Sequence, residues 1–315
     1  MSTERGPGQS KKPRGHDQAR KRSRATQDRV ARVLAEQHQR RVRQQRLAIA
    51  AIATAVVVVV VVAMVVVSRI VDSGTTAAPA VSGAAADRIV RQTTTLPAAI
   101  LDQVGKGQVL AKPQTVTDQP ALADAGKPLI VYIGAEYCPF CASQRWPVVV
   151  AMSRFGTFAG LGMTHSASDD VYPNTQSFSF HGSSYTSQYL AFQGVEVATN
   201  EREGNGYGPL DTLTPLQQQI MTTLNAPPYV DSSGAIPFMD FANQYFLLGG
   251  AYDAELLQKQ SAEQIVAALR DPSDPIAQGI IGTANIFTTY LCQLTNGQPG
   301  DVCQSSAAQA YAEVL

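Results

Sequence analysis

The chain has 315 residues, 44% hydrophobic and 16% charged, which is apolar enough for a sizeable core and excludes global disorder; four cysteines are too few for a disulfide-dense miniprotein. Its zero net charge conceals a split, because residues 1–46 hold 14 Lys/Arg against 4 Asp/Glu (+10) and the remainder holds 11 against 21 (−10). A basic head on an acidic body excludes a uniform nucleic-acid-binding face.

Residues 1–17, rich in Gly, Pro, Ser and Lys, read as disordered, and residues 18–46 as a polar helix rich in Arg and Gln. Such a head can bind nucleic acid, lie on anionic lipid headgroups or only enforce topology; nucleic acid is not the expected partner. His16 and His38 stand far apart in this solvated segment and read as bystanders.

Residues 47–67, LAIAAIATAVVVVVVVAMVVV, run for 21 positions without a charge, Pro or Gly. As a helix they span about 30 Å, the thickness of a bilayer core, so one transmembrane helix is predicted. The rival is a cleaved signal peptide, with Ala78/Ala80 or Ala84/Ala86 as the small-residue site. Against it, 46 residues precede the apolar run, and the run exceeds the usual length of about 7 to 15. Arg40, Arg41, Arg43 and Arg46 crowd the N-terminal flank. The positive-inside bias therefore keeps residues 1–46 cytoplasmic as a basic tail and puts everything after residue 67 outside the plasma membrane. Residues 68–95, with DSGTTAAPAVSGAAA at 72–86, read as a flexible linker.

A helix is predicted over 97–104, broken by Gly105 and Gly107. Residues 129–133, LIVYI, suit a strand buried on both faces. The turn 134–137 then enters Cys138-Pro139-Phe140-Cys141, and residues 142–155 continue with helical spacing, Trp146, Val149, Val150 and Met152 lying near one apolar side. Cys138 thus sits at a helix N-terminus, where unsatisfied N–H groups and the macrodipole favour a thiolate. Pro139 suits the first helical position, and Cys141 falls within disulfide reach on the first turn. Cys138 is the expected attacking thiolate and Cys141 the buried resolving partner. The same spacing serves zinc or a purely structural disulfide, but the other metal-ligand candidates, Cys292, Cys303, His165 and His181, form no second close pair. No metal and no cofactor is expected. Glu136 is placed to buffer a proton, and Arg145, two helical turns on, reads as a surface or capping partner.

Farther along, 177–180 and 185–197 read as extended, and 213–224 as a helix capped by Thr214 with Pro215 at its first position. Asp169-Asp170 lacks the spacing of a calcium loop and reads as a solvated turn. Residues 203–208, EGNGYG, lack the strand and lysine of a phosphate loop and read as a flexible loop. His165 and His181 remain minor acid–base candidates. A helix is predicted over 275–294, and Cys292 and Cys303, with ten residues between them, read as a structural disulfide closing a loop worth about 3 kcal/mol; a second redox pair exchanging with Cys138 and Cys141 is the other reading.

AEYC at 135–138 and the Pro-containing CPFC pair resemble the thioredoxin-like superfamily. Residues 234–250, GAIPFMDFANQYFLLGG, resemble that fold's cis-proline strand, tight turn, edge strand and glycine, with 261–269 as its closing helix. YIGAEYCPFC followed by Arg145-Trp146 and SRFGTF at 153–158 is more narrowly similar to the family called domain of unknown function 929, a membrane-associated thioredoxin-like group. The resemblance implies an α/β thioredoxin-like domain over 96–271, with a large insertion at about 165–230 between the C-x-x-C helix and the cis-Pro strand. The transmembrane helix would precede it, and 272–315 would follow as a helical extension carrying the disulfide. It also implies Cys138 and Cys141 as catalytic, Ile236 and Pro237 as substrate-binding, and Glu136, Tyr137, Pro139, Phe140, Arg145 and Trp146 as supporting. Thioredoxin reductants carry a buried acid six positions before the first Cys; here that position is Tyr132.

The expected activity is thiol–disulfide exchange on secreted or envelope proteins, with protein thiols as substrates, an unidentified redox partner as recycler and the membrane as anchor. The alternative is a non-enzymatic interaction module with a structural CPFC disulfide. Exchange requires an accessible, low-pKa Cys138; a module requires an inert pair.

Overall fold

The computed structural model describes residues 81–314. Helices α1 (Gly83–Thr94) and α2 (Ala98–Val104) lead through β1 (Gln114–Thr115) and β2 (Ala123–Asp124) to β3 (Lys127–Gly134) and α3 (Pro139–Met152). Strands β4 (Gly156–Ala159), β5 (Gly162–His165), β6 (Gln176–Ser179) and β7 (Ser184–Ser187) follow, then β8 (Ala191–Glu196), the hairpin β9 (Ala198–Glu203) and β10 (Gly206–Pro209), and α4 (Pro215–Leu224). The chain continues through β11 (Phe238–Phe241), β12 (Tyr245–Leu248), a 3-10 turn (Ala254–Leu257), α5 (Ala262–Ala268), α6 (Pro275–Leu294), α7 (Gly300–Cys303) and α8 (Ser306–Gln309).

The apolar run at 129–133 does what its composition demands. Residues 129–134 of β3 pair in parallel with 191–196 of β8 along one edge, and 130–133 pair antiparallel with 238–241 of β11 along the other. β11 continues to β12, and β12 to β1, giving a mixed sheet in the order β8-β3-β11-β12-β1; β2 pairs with the start of β3. Side chains alternate across a strand, so Ile130 and Tyr132 enter a large core with α3 and α6, while Leu129, Val131 and Ile133 enter a smaller one with Ile220 and Leu224 of α4.

Helix α3 is buried almost all round rather than on one side; Phe140 is its one exposed member. Pro147 has no N–H for the Ser143 carbonyl one turn back, and the Tyr252 hydroxyl donates to that carbonyl instead, at 2.9 Å. Helix α4 carries the expected start, Thr214 as N-cap in a reciprocal capping box with Gln217 and Pro215 in the first turn.

Four sequence expectations change. The linker expected over 68–95 gives way to helix by residue 83: the Ala run is a helix former rather than a spacer, and Ile89 and Thr93 of α1 are buried. The 165–230 segment is not one excursion, since β8 within it is the parallel neighbour of β3 and α4 covers the smaller core. Residues 203–208 form the turn and second strand of the β9–β10 hairpin rather than a flexible loop. Residues 272–315 are no appendage: 16 of the 20 residues of α6 are buried, and 272 onward belongs to the same compact unit as 96–271.

Backbone approach explains that last packing. A Cβ on Gly107 would fall 2.2 Å from the Gln278 carbonyl of α6, so only glycine lets the loop after α2 touch the helix. Asn285 of α6 donates through Nδ2 to the carbonyls of Leu101 (2.9 Å) and Gly105 (2.8 Å), satisfying the C-terminal end of α2. Cys292 and Cys303 form a disulfide that ties the end of α6 to α7.

The expected basic tail (1–46), transmembrane helix (47–67) and first part of the linker lie outside the described residues. Among the described residues, no helix is long and apolar enough to cross a membrane.

The β11–β12 turn contains a buried acid. Both carboxylate oxygens of Asp240 accept from the Asn243 N–H, at 2.9 and 3.2 Å, and burial pushes the carboxyl from its usual 3.8 up to about 7. The folded chain holds this proton to higher pH than the unfolded chain, so the contribution of Asp240 falls as pH rises from about 4 to about 7 and is flat above. Asp240→Asn removes this slope, a relative gain of up to about 4 kcal/mol at pH 8 over pH 4. Denaturant titrations of wild type and variant at both pH values check it.

Candidate active site

β3 ends at Gly134, where a Cβ would lie 2.5 Å from the Tyr132 hydroxyl, and the chain turns through Ala135, Glu136 and Tyr137 into α3. This turn is held from outside: Gly134 C=O accepts from Val197 N–H (2.8 Å), Glu136 N–H donates to Ala198 C=O (2.9 Å) and Tyr137 C=O accepts from Ala167 N–H (2.8 Å).

Cys138 is the N-cap of α3, with Pro139 in the first turn, and its Sγ accepts from the Cys141 N–H at 3.2 Å. Both are free thiols; Cys138 keeps 6% of its surface open and Cys141 none. Their environments drive them apart. The hydrogen bond from the Cys141 side chain, opposed by burial but aided by helix N–H groups and Arg145, lowers the Cys138 pKa. Burial, followed by the hydrogen bond and charge of Cys138, lifts Cys141 well above the usual thiol range. Tyr132, six residues before Cys138, donates its hydroxyl to the Cys141 carbonyl at 3.3 Å, and burial holds it in the phenol form.

Arg145 is not at the surface. Its side chain is fully buried, and its Nε and Nη2 donate to Oε1 and Oε2 of Glu196, the last residue of β8, at 2.7 and 2.5 Å. Nη2 also donates to the Ala135 carbonyl at 2.7 Å. A guanidinium on an apolar helix needs a partner of opposite charge once buried, and the parallel strand supplies it. Burial lowers the Arg145 pKa, but the Glu196 carboxylate, together with Tyr132 and Cys141, outweighs it and leaves Arg145 well above its usual value; burial raises Glu196 against the pull of Arg145. Trp146, likewise buried, donates Nε1–H to the Gln176 carbonyl at 3.0 Å and packs edge-on against Phe178.

Around the mouth, Phe140 is 42% exposed and meets Tyr172 edge-to-face, with ring centroids 5.9 Å apart. Tyr137 stacks on Tyr207 of β10 at 4.2 Å, Arg202 covers Tyr207, and Asp169 accepts from Arg202 at 2.6 and 2.9 Å and from the Tyr207 hydroxyl at 3.1 Å. The hairpin and the loop carrying Asp169 are thereby fastened to the Cys138 turn. The Ile236–Pro237 bond is cis, and Pro237 leads directly into β11, where Phe238 pairs with Ile133. Ile236 N–H and C=O are in no hydrogen bond among the described residues. Glu136 is half-buried in the turn. His165 contacts Asn200 and His181 contacts Asp211.

The sequence reading missed Glu196 and Tyr207. Arg145 as the one charged residue of α3 was the signal that a buried acid must exist elsewhere, but nothing local says which. Among the described residues, no three His, Cys, Asp or Glu side chains converge as a metal site.

Breaking the buried pair on one side strands a charge in the core. Glu196→Ala is expected to destabilise the fold by about 3–5 kcal/mol, and Arg145→Met/Glu196→Leu to recover most of that loss, because no unpaired charge remains. Urea unfolding of the two variants measures both.

No curated protein and no solved structure matches the chain. A protein-family model described as Domain of unknown function (DUF929) matches residues 114–293, which contain the sheet, the cysteine pair, the Arg145–Glu196 pair and the Ile236–Pro237 bond. With more than half of its length covered by that match, the chain belongs to the DUF929 family.

Proposed function

We propose that the protein is a thioredoxin-like thiol–disulfide oxidoreductase, anchored by residues 47–67 with its basic tail in the cytoplasm and its folded domain outside the plasma membrane, acting on secreted or envelope protein thiols. The observation that carries the reading is the cysteine pair: Cys138 caps the helix and accepts the Cys141 N–H, while Cys141 lies fully buried behind it. Further support comes from β8-β3-β11-β12, with the cysteine helix leaving β3 and Ile236–Pro237 entering β11 beside it.

The chemistry balances without a cofactor. Cys138 thiolate attacks one sulfur of a substrate disulfide; a Cys138–substrate bond forms, the substrate S–S bond breaks, and the released thiolate takes a proton. Cys141 then loses its proton and attacks the Cys138 sulfur, forming the CPFC disulfide and releasing the second substrate thiol. Two electrons have moved to the substrate, and the reverse sequence oxidises it. A second dithiol–disulfide couple resets the pair in either direction. Ile236 N–H and C=O, in no hydrogen bond among the described residues, would bond the substrate backbone, Pro237 flanks them, and Phe140 offers apolar contact.

The small opening at Cys138 favours a second reading, a non-enzymatic interaction module with an inert CPFC disulfide. Equilibration of the full chain in glutathione buffers separates the two. The expected reduction potential lies between about −120 and −270 mV, and Cys141→Ser is expected to accumulate mixed disulfides; a potential below about −300 mV overturns exchange in favour of the module. Reporter fusions after residues 75 and 315 are expected to be active outside the membrane, and cytoplasmic activity of both overturns the topology.

A further inference from the structure

We propose that the buried Arg145–Glu196 pair is a positioning device for the cysteine pair, in which Glu196 holds the guanidinium of Arg145 in place and the positive charge of that guanidinium favours the thiolate of Cys138. The role given to Arg145 rests on the thiol–disulfide reading for its use, though the charge effect is measurable without turnover.

The placement follows from the helix. Residues four apart lie on one helical face, and a further turn adds three or four, so Arg145 follows Cys141 by four positions and Cys138 by seven along one stripe of α3. All three side chains are buried, in surroundings where a charge is screened far less than in water. Ala135, in the turn that leads to Cys138, joins them: its carbonyl accepts from Arg145 Nη2 at 2.7 Å. Glu196 meets Arg145 from the end of β8, a separate element from the helix that carries the cysteines. Arg145 Nη1 is buried without a hydrogen-bond partner, leaving the guanidinium unsatisfied on one branch. Arginine keeps its proton at every working pH, so the charge persists through the reaction cycle.

An ion pair retained only for packing would leave thiol reactivity alone, whereas a charge device predicts opposite responses to two substitutions. Glu196→Gln keeps the shape and frees the Arg145 charge, which raises the thiolate fraction of Cys138. Arg145→Met/Glu196→Gln removes both charges and lowers it. The thiolate is the species that is alkylated, so the rate of iodoacetamide labelling of the reduced full chain at pH 6, read on the Cys138 peptide by mass spectrometry, is expected to rise about threefold in the first and fall about threefold in the second. Arg145→Lys, retaining the charge, is expected to stay near the wild-type rate with a lower melting temperature.

Rates that move in the same direction in both Glu196 variants, or do not move, overturn the proposal. If Glu196→Gln does not fold, the neutral pair, which strands no charge, decides alone, and a labelling rate at or above that of the wild type overturns the proposal. Glutathione exchange by the wild type separates this from the function itself. Opposite labelling shifts without exchange would leave the charge device standing and overturn the oxidoreductase, and exchange without the shifts would do the reverse.

Discussion

A strand buried on both faces can satisfy its backbone only with other strands, because no water reaches its N–H and C=O groups. β3 is that strand, and its requirement organises the rest. A neighbour is needed on each edge, and β8, running parallel, and β11, running antiparallel, supply them from segments far along the chain. The C-terminal end of β3 thus becomes the meeting point of the cysteine turn, the Glu196 end of β8 and the Pro237 entrance to β11.

Placing chemistry there is costly, because the same burial penalises charge. It lifts Cys141 and Tyr132 well above their usual values, and only groups with compensating partners stay ionised or near it. Cys138 has helix N–H groups, and Arg145 has a bidentate carboxylate. Replacing a buried ion pair by apolar side chains is often neutral or stabilising, so the pair contributes little to stability that leucine and methionine would not. Its value lies in where it holds a charge.

The cysteine motif and the strand and helix around it were legible because each is local. LIVYI has the composition of a doubly buried strand, Pro139 marks a first turn, and Thr214 with Pro215 announces a helix whose capping box the fold contains. The 275–294 helix was equally plain, yet its place at the centre of the larger core was not, since an apolar helix in a tail reads like any other until its neighbours are known. Residues 83–94 misled for the opposite reason: Ala, Gly and Ser compose spacers and helices alike, and the burial of Ile89 decides between them.

Arg145 illustrates the limit best. Its sequence neighbours give a helix and a distance of two turns from Cys138, which suits a surface position as well as a buried one. Glu196, 51 positions away, decides, because a guanidinium can be buried only where a carboxylate meets it. The sequence by itself determined β3, the cysteine helix, α4 with its Thr214 cap, α6 and the thiol pair, all set by interactions within a few residues. Only the tertiary structure decided which strands flank β3, which charge stands behind the cysteines and which helices fill the core, because pairing and desolvation depend on what distant segments bring together.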